Sequence, residues 1–189
     1  MSVAVAPTLY TVEEFLAMDE HELYELVEGR LEKLNVSNLS SAVAVKTMSR
    51  LDVHVSAMKL GTIFSSESYF RLFPKKARNA RKPDTSFISN ERLPADWMEE
   101  TTFAIAPDMA VEVLSPNDFA YKVAAKTREY LDAGVRLVWE INPHERLIMI
   151  HRADGTVTKL KEGDTLSGED VVVGFTCPVK DIFPHVSEA

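Results

Sequence analysis

The stretch Met109-Ala110-Val111-Glu112-Val113-Leu114 is apolar at both alternating sets of positions, with one glutamate in its middle. Such a run is typical of a strand that is covered on both faces of a sheet. An ionised carboxylate in that position costs several kcal/mol unless a cation or a set of hydrogen bonds compensates it. Glu112 therefore indicates either a buried ion pair with lysine or arginine, or a site that binds a metal cation.

A second acid, Asp84, follows a proline and precedes the apolar residues of another predicted strand, 83–88. If the two strands are neighbours, Asp84 and Glu112 form the kind of carboxylate pair that Mg²⁺ or Mn²⁺ binds in proteins. A main-chain carbonyl beside Glu112, such as that of Val113, would complete the metal site. The alternative for Asp84 alone is a solvated turn aspartate without a function.

The elements predicted outward from these strands indicate a mixed α+β chain with a central sheet. Gly61 and Gly134 are read as helix stops, and a capping box of Thr11 and Glu14 starts the first helix. The predicted helices are 10–16, 21–25, 40–60 and 118–133. The predicted strands are 30–36, 62–66, 69–73, 83–88, 109–114 and 136–142, followed by a hairpin of 146–152 and 156–160 and by a tail strand within 171–183. Residues 89–102 are read as a polar surface connection.

The helix predicted after Glu112 carries a lysine on its inward face. At 3.6 residues per turn, Phe119, Val123, Lys126 and Tyr130 fall on one stripe, which we expect to pack on the sheet. The Lys126 ammonium would then either snorkel to solvent or point at the carboxylates. In the second case it can stabilise the charge that develops during phosphodiester hydrolysis, or orient the attacking water. Lys122 lies at the edge of the same stripe.

Two further groups are candidates for the same site. Glu25 and Glu28 are three residues apart near the end of the helix predicted at 21–25, and either could reach the metal or remain a surface charge. Basic residues cluster just before Asp84, where they suit a phosphate backbone or form only a solvated loop. They are Lys75, Lys76, Arg78, Arg81 and Lys82.

Bulk composition restricts the function classes. The chain has 189 residues, enough for one domain with a proper core, and no apolar stretch long enough to span a bilayer. A single cysteine, Cys177, excludes an internal disulfide and a cysteine-based zinc cluster, so we expect a cytoplasmic protein. The formal net charge of −8, from 21 basic and 29 acidic residues, argues against binding nucleic acid through global charge. Any contact with DNA is therefore expected to be transient or local.

Five short motifs in order resemble the Uma-type putative restriction endonuclease family, a branch of the PD-(D/E)XK nuclease superfamily. They are Tyr24-Glu25-Leu26-Val27-Glu28-Gly29, Lys82-Pro83-Asp84, Val111-Glu112-Val113-Leu114-Ser115-Pro116, Lys126 through Tyr130 to Ala133-Gly134-Val135, and Val138-Trp139-Glu140-Ile141-Asn142-Pro143. The resemblance extends from about residue 10 to residue 183, within one domain spanning 1–189.

The resemblance implies a restriction-endonuclease-like core, in which helices flank a central mixed sheet. It implies that Asp84 and Glu112 are the metal-binding acids and that Glu25 is the family's early acid. Leu114 stands where the superfamily motif usually has lysine, and the family supplies that lysine from the following helix, which corresponds to Lys126.

Three functions follow as hypotheses. The first is a Mg²⁺- or Mn²⁺-dependent DNA endonuclease with Asp84, Glu112, Lys126 and Glu25 in its site. Arg81, Lys82 and Lys122 would then contact the nucleic acid. The second is a non-catalytic module of the same fold that binds nucleic acid or a protein, and the third is a hydrolase of a small phosphorylated substrate. A homodimer would suit cleavage of both strands.

Overall fold

The computed structural model describes residues 8–73 and 77–184, and its centre is a six-stranded mixed sheet. The α-helices are α1 (Val12–Leu16), α2 (Asn38–Met58) and α3 (Ala120–Asp132), with 3-10 turns at His21–Leu23 and Val179–Ile182. The strands are β1 (Tyr24–Val27), β2 (Arg30–Lys33), β3 (Gly61–Ser65), β4 (Tyr69–Phe70), β5 (Thr85–Ser89), β6 (Thr102–Phe103), β7 (Met109–Val113), β8 (Leu137–Asn142), β9 (Leu147–Arg152), β10 (Val157–Leu160), β11 (Thr165–Ser167) and β12 (Thr176–Pro178).

The strand that contains Glu112 lies inside the sheet, whose order is β10-β9-β8-β7-β5-β3. Strand β7 pairs antiparallel with β5 and parallel with β8, and α3 connects β7 to β8. Thr85 pairs with Val111, so Asp84, one residue before β5, is placed beside Glu112. The expectation that helices flank a central mixed sheet is confirmed.

Alternation along β7 divides the core between the two faces of the sheet. Met109 and Val111 face the layer that contains Val43, Leu51 and Val55 of α2. Ala110 faces the layer that contains Tyr130 of α3. Because side chains alternate along a strand, Glu112 lies on the same face as Ala110, towards α3. Both faces are covered, as the apolar run predicts.

The N-terminal hairpin of β1 and β2 lies outside the six-stranded sheet. It packs through a third apolar cluster, which includes Leu26, Phe15 and Ala80. An isolated bridge between Leu26 and Ala80 attaches β1 to the segment that leads into Asp84. The bridge therefore positions the hairpin, including Glu25, next to the segment that contains Asp84.

The main helices and strands agree with the sequence-based expectations, and the capping box of Thr11 and Glu14 makes both of its hydrogen bonds. Two predictions are wrong. Residues 21–25 are not one helix, since a 3-10 turn ends at Leu23 and Glu25 lies on β1. Helix α2 ends at Met58, and its C-cap is Lys59 in the left-handed conformation (φ 54°), not Gly61. Gly61 instead begins β3, where a Cβ would lie 2.1 Å from the Ile88 carbonyl oxygen.

In the described residues, we find no helix of sufficient length and hydropathy to cross a membrane.

Candidate functional site

Each oxygen of the Glu112 carboxylate is held by a different side chain of α3. Lys126 Nζ donates to Oε2 at 2.7 Å, and the Tyr130 hydroxyl donates to Oε1 at 2.6 Å. The two donors are four residues apart, so one face of α3 presents both to the strand. The Glu112 side chain is 14% exposed, and this pair of donors offsets part of the cost of its desolvation.

Lys126 is shared between two acids from distant parts of the chain. Its Nζ lies 3.0 Å from Oε1 of Glu25 as well as 2.7 Å from Oε2 of Glu112. Glu25 also accepts the main-chain N–H of Lys82 at 2.7 Å and Nη1 of Arg81 at 3.0 Å. The expectation that Lys126 points inward is confirmed, because the ammonium bridges the acids instead of snorkelling to solvent.

Asp84 is held differently from the two glutamates. Its Oδ2 accepts the main-chain N–H of Val113 at 2.7 Å, which joins the start of β5 to the end of β7. In the described part of the chain no residue donates a hydrogen bond to Oδ1. Asp84 is therefore oriented by the backbone while one of its oxygens remains available to a ligand.

Burial and the neighbouring charges separate the pKa values of the three acids. Burial raises the pKa of Glu112 from 4.5 to about 7, against the opposing effect of Lys126, and Asp84 and Glu25 add to the rise. Burial also raises the pKa of Asp84. Burial alone would raise the pKa of Glu25, but Lys126 and Arg81 outweigh it and hold that pKa below its ordinary value. Glu25 is thus the stably ionised acid.

The lysine responds in the opposite sense. Burial alone would lower the pKa of Lys126, but Glu112 and Glu25 outweigh it and raise that pKa above its ordinary value. Lys126 is therefore a fixed positive charge at neutral pH. A fixed cation beside a carboxylate pair can stabilise negative charge that develops on a bound phosphate.

These groups lie at the floor of a groove of about 400 Å³. Glu25, Asp84, Glu112 and Lys126 all line it, and its walls come from the segment after β2, from α2 and from the start of α3. A concave site with converging charged groups and displaced pKa values is the usual form of a candidate active site.

The cations predicted to bind nucleic acid, Arg81, Lys82 and Lys122, are paired with oxygen atoms of the chain itself. The side chains of Arg81 and Lys82 are only 6% and 3% exposed, because Arg81 is paired with Glu25 and Lys82 Nζ donates to the carbonyl of Glu22. Lys122 is exposed, and its Nζ lies 3.3 Å from Oε1 of Glu32. Lys75 and Lys76 lie outside the described residues, and Arg78 is exposed.

Two side chains differ from the positions that the sequence predicts for them. Glu28 is exposed, in a turn with φ of 50° between β1 and β2. Phe119 was expected on the packed face of the helix but is 62% exposed, because it is the N-cap residue of α3 and the helix proper begins after it. Val123 is half-buried in the groove wall.

Two contributors were missed by sequence reasoning. Tyr130 was read only as a packing residue of the stripe, although its hydroxyl binds Glu112. Glu129, next to it, accepts Arg81 Nε at 2.8 Å and Asn79 Nδ2 at 2.8 Å. The spacing of four between Lys126 and Tyr130 could have indicated that both polar ends reach the same strand position.

The donor set suits a hard divalent cation. Mg²⁺ usually binds one or two protein carboxylates and keeps several waters, and Asp84 and Glu112 supply such a pair on neighbouring strands. No group of three or more His, Cys, Asp or Glu positioned to hold a metal occurs within residues 8–73 and 77–184. Val113, predicted to offer its carbonyl, contacts Asp84 through its amide N–H.

Comparisons with known proteins agree with this architecture. The family model described as "Uma2: Putative restriction endonuclease" matches residues 12–180. A crystal structure of "a putative nuclease belonging to DUF820" from Anabaena variabilis superposes with a TM-score of 0.78 at 23% identity, covering 92% of this chain and 97% of that one. No curated protein matches the chain.

Proposed function

Because the chain belongs to the Uma2 family of putative restriction endonucleases, we propose that it is a divalent-metal-dependent nuclease that hydrolyses phosphodiester bonds of DNA. The observation that supports this most is the placement of Asp84 and Glu112 on neighbouring strands, with Lys126 Nζ 2.7 Å from Glu112. The nuclease fold of the Anabaena variabilis neighbour is consistent with it.

Each residue has a separate role in this proposal. Asp84 and Glu112 hold Mg²⁺ or Mn²⁺, which when bound would supply an activated water and neutralise charge on the phosphate. Lys126 places a permanent positive charge beside the reacting phosphate. Glu25 and Tyr130 orient Lys126 and Glu112, since each makes a direct contact with one of them.

Titration of Mn²⁺ by calorimetry tests the metal site first. We expect the parent to bind Mn²⁺ and the Asp84→Ala and Glu112→Gln variants to lose most of that binding, because each removes one of two carboxylate ligands. Glu140→Gln is the matched control, since Glu140 is the register partner of Glu112 on β8 but does not line the groove. Equal binding by parent, Asp84→Ala and Glu112→Gln would refute the proposed site.

Cleavage tests the role of Lys126. In the presence of Mn²⁺ we expect Lys126→Met to cut DNA at least about a hundredfold more slowly than the parent, a loss typical for removal of an electrostatic stabiliser. The same variant should still bind Mn²⁺ in the titration, because both acids remain. Undiminished cleavage by Lys126→Met would remove this residue from the proposed mechanism.

A second candidate is a non-catalytic module that retains the nuclease fold. One observation favours it: both oxygens of Glu112 are already satisfied by side chains of the same chain, so its burial needs no metal. This candidate predicts that Lys126→Met binds nucleic acid or a protein partner as the parent does, and that no Mn²⁺ binds to either. The titration and the cleavage assay together separate the two candidates.

A further inference from the structure

Large apolar side chains are exposed in the groove and next to it. Phe119 is 62% exposed and Tyr121 is 69% exposed, and their ring centroids are 5.8 Å apart at an interplanar angle of 33°. Val36, in the segment after β2, is 73% exposed, and Val45 of α2 is 54% exposed. Phe119, Val36 and Val45 all line the groove whose floor is Asp84 and Glu112. Exposed apolar surface concentrated at a polar site is typical of a binding surface.

The charges around the same groove are unfavourable for a double helix. The groove contains three buried cations, Arg81, Lys82 and Lys126, whose charges are directed at the chain's own oxygens. Lys122 is paired with Glu32, and Lys33 is exposed at the rim. Four more acids line the groove, namely Glu22, Glu32, Glu67 and Asp118.

A duplex binds through many phosphate contacts to lysine and arginine, on both of its strands. Lys33 is exposed and Lys122 is paired with Glu32, so the groove offers too few exposed cations for the phosphates of both strands of a double helix. A single strand also exposes its base faces, and stacking of one base on an aromatic side chain contributes about 1–3 kcal/mol. The groove therefore suits one strand through its apolar surface, while its charges disfavour a duplex.

The dimensions agree with this. A volume of about 400 Å³ is at the lower end of the range for pockets that take small ligands. A groove of this size has room for one unstacked nucleotide, whose neighbour along the strand would lie against Phe119.

We propose that the substrate is single-stranded nucleic acid, one base of which stacks on Phe119 while the adjoining phosphodiester reaches Asp84 and Glu112. This rests on the proposed nuclease function and specifies its substrate class. Phe119 is the specificity-determining residue, because it is the aromatic side chain that lines the groove.

Fluorescence anisotropy at low ionic strength, with Ca²⁺ in place of Mg²⁺ or Mn²⁺, tests the proposal by binding and not by cleavage. The probes are a labelled oligothymidylate and a labelled duplex of equal length. We expect the parent to bind the single strand at least about tenfold more tightly than the duplex. Phe119→Ala should weaken single-strand binding about tenfold, the equivalent of one stacked base. Phe119 makes no side-chain cap of α3, so this variant is expected to fold.

Met98→Ala is the matched control, because Met98 is 79% exposed and does not line the groove. It should bind the single strand as the parent does. Equal or tighter binding of the duplex, or an unchanged Phe119→Ala, would overturn the proposal. A concentration-dependent dimer that Phe119→Ala abolishes, with no strand bound, would assign this face to a second copy and overturn it too.

The proposed nuclease function fails separately. If Mn²⁺ binds through Asp84 and Glu112 and the duplex is preferred, only the substrate class is wrong. If neither probe binds and the titration detects no Mn²⁺, the nuclease proposal falls together with this inference.

Discussion

Glu112 and Glu140 are the same residue at paired positions of adjacent parallel strands, yet only one belongs to the candidate site. Their side chains are similarly buried, at 14% and 19% exposure. Glu112 meets Lys126 and Tyr130 of α3, whereas the partner of Glu140 is His151 Nε2 at 3.4 Å. The strand position alone therefore does not make a site. The site is formed by side chains that approach this position from α3 and from the β1–β2 hairpin.

The region around Glu112 also differs from the region around Glu140 in how its arginine is used. Arg81 is 6% exposed between Glu25 and Glu129, whereas Arg152 is 25% exposed and pairs with Glu169. Arg81→Met should lower the free energy of unfolding by about 3–5 kcal/mol, because it leaves buried carboxylates without their cation. Arg152→Met should cost about 1 kcal/mol or less. Denaturant unfolding measures both.

Equal losses for Arg81→Met and Arg152→Met would mean that the two regions are electrostatically alike, which contradicts the comparison.

A pH series sharpens the contrast between the two glutamates. The pKa of Glu112 is raised from 4.5 to about 7, mainly by burial. Between these two pH values, Glu112 is protonated in the folded protein and ionised in the unfolded chain. Its contribution to stability is fully present below about pH 4.5 and is lost as the pH rises through 7. The difference in stability between parent and Glu112→Gln should therefore shift by about 2 kcal/mol between pH 5 and pH 8, against the parent.

Glu140→Gln is measured alongside Glu112→Gln in that series. Thermal unfolding at several pH values measures the two slopes. A parent that gains stability relative to Glu112→Gln as the pH rises would reverse the sign and contradict the burial argument.

The smallest of these effects concerns the hydroxyl of Tyr130. Tyr130→Phe keeps the ring in the core but leaves Oε1 of Glu112 without its 2.6 Å donor. We expect a loss of about 1 kcal/mol, because a buried acceptor is left unsatisfied. Tyr121→Phe, on the same helix with 69% exposure, should leave stability unchanged. Chemical denaturation of both variants measures the difference, and equal stability of the two would show that the Tyr130 bond contributes nothing.

Much of the fold follows from local pattern. The both-faces-apolar run at 109–114 predicted a covered strand, and β7 is one. The stripe of Lys126 and Tyr130 predicted an inward face, which α3 has. Local signals succeeded there because the spacing of side chains is a property of the helix and of the strand themselves.

The rest of the site depends on tertiary contacts that local signals do not carry. The sequence predicts Glu25 on a helix, but it lies on β1. That strand is defined by its pairing with β2 and by the bridge of Leu26 to Ala80, which local sequence does not reveal. The sequence predicts Arg81 as a surface cation, because the neighbouring residues do not indicate that its guanidinium donates a hydrogen bond to Glu25, 56 residues earlier. Phe119 was assigned to the core because a helix start cannot be fixed to one residue from periodicity alone.

The attachment of the β1–β2 hairpin beside the main sheet has a consequence for folding order. Glu25 reaches Lys126 only when this hairpin has docked, so the charge cluster is a long-range contact and forms late relative to helices and hairpins. Before the hairpin docks, Glu112 is the acid that pairs with the Lys126 ammonium. The site is therefore complete only after the β1–β2 hairpin has docked. A substitution of Leu26 that prevents docking would inactivate the site although all of its charged residues are unchanged.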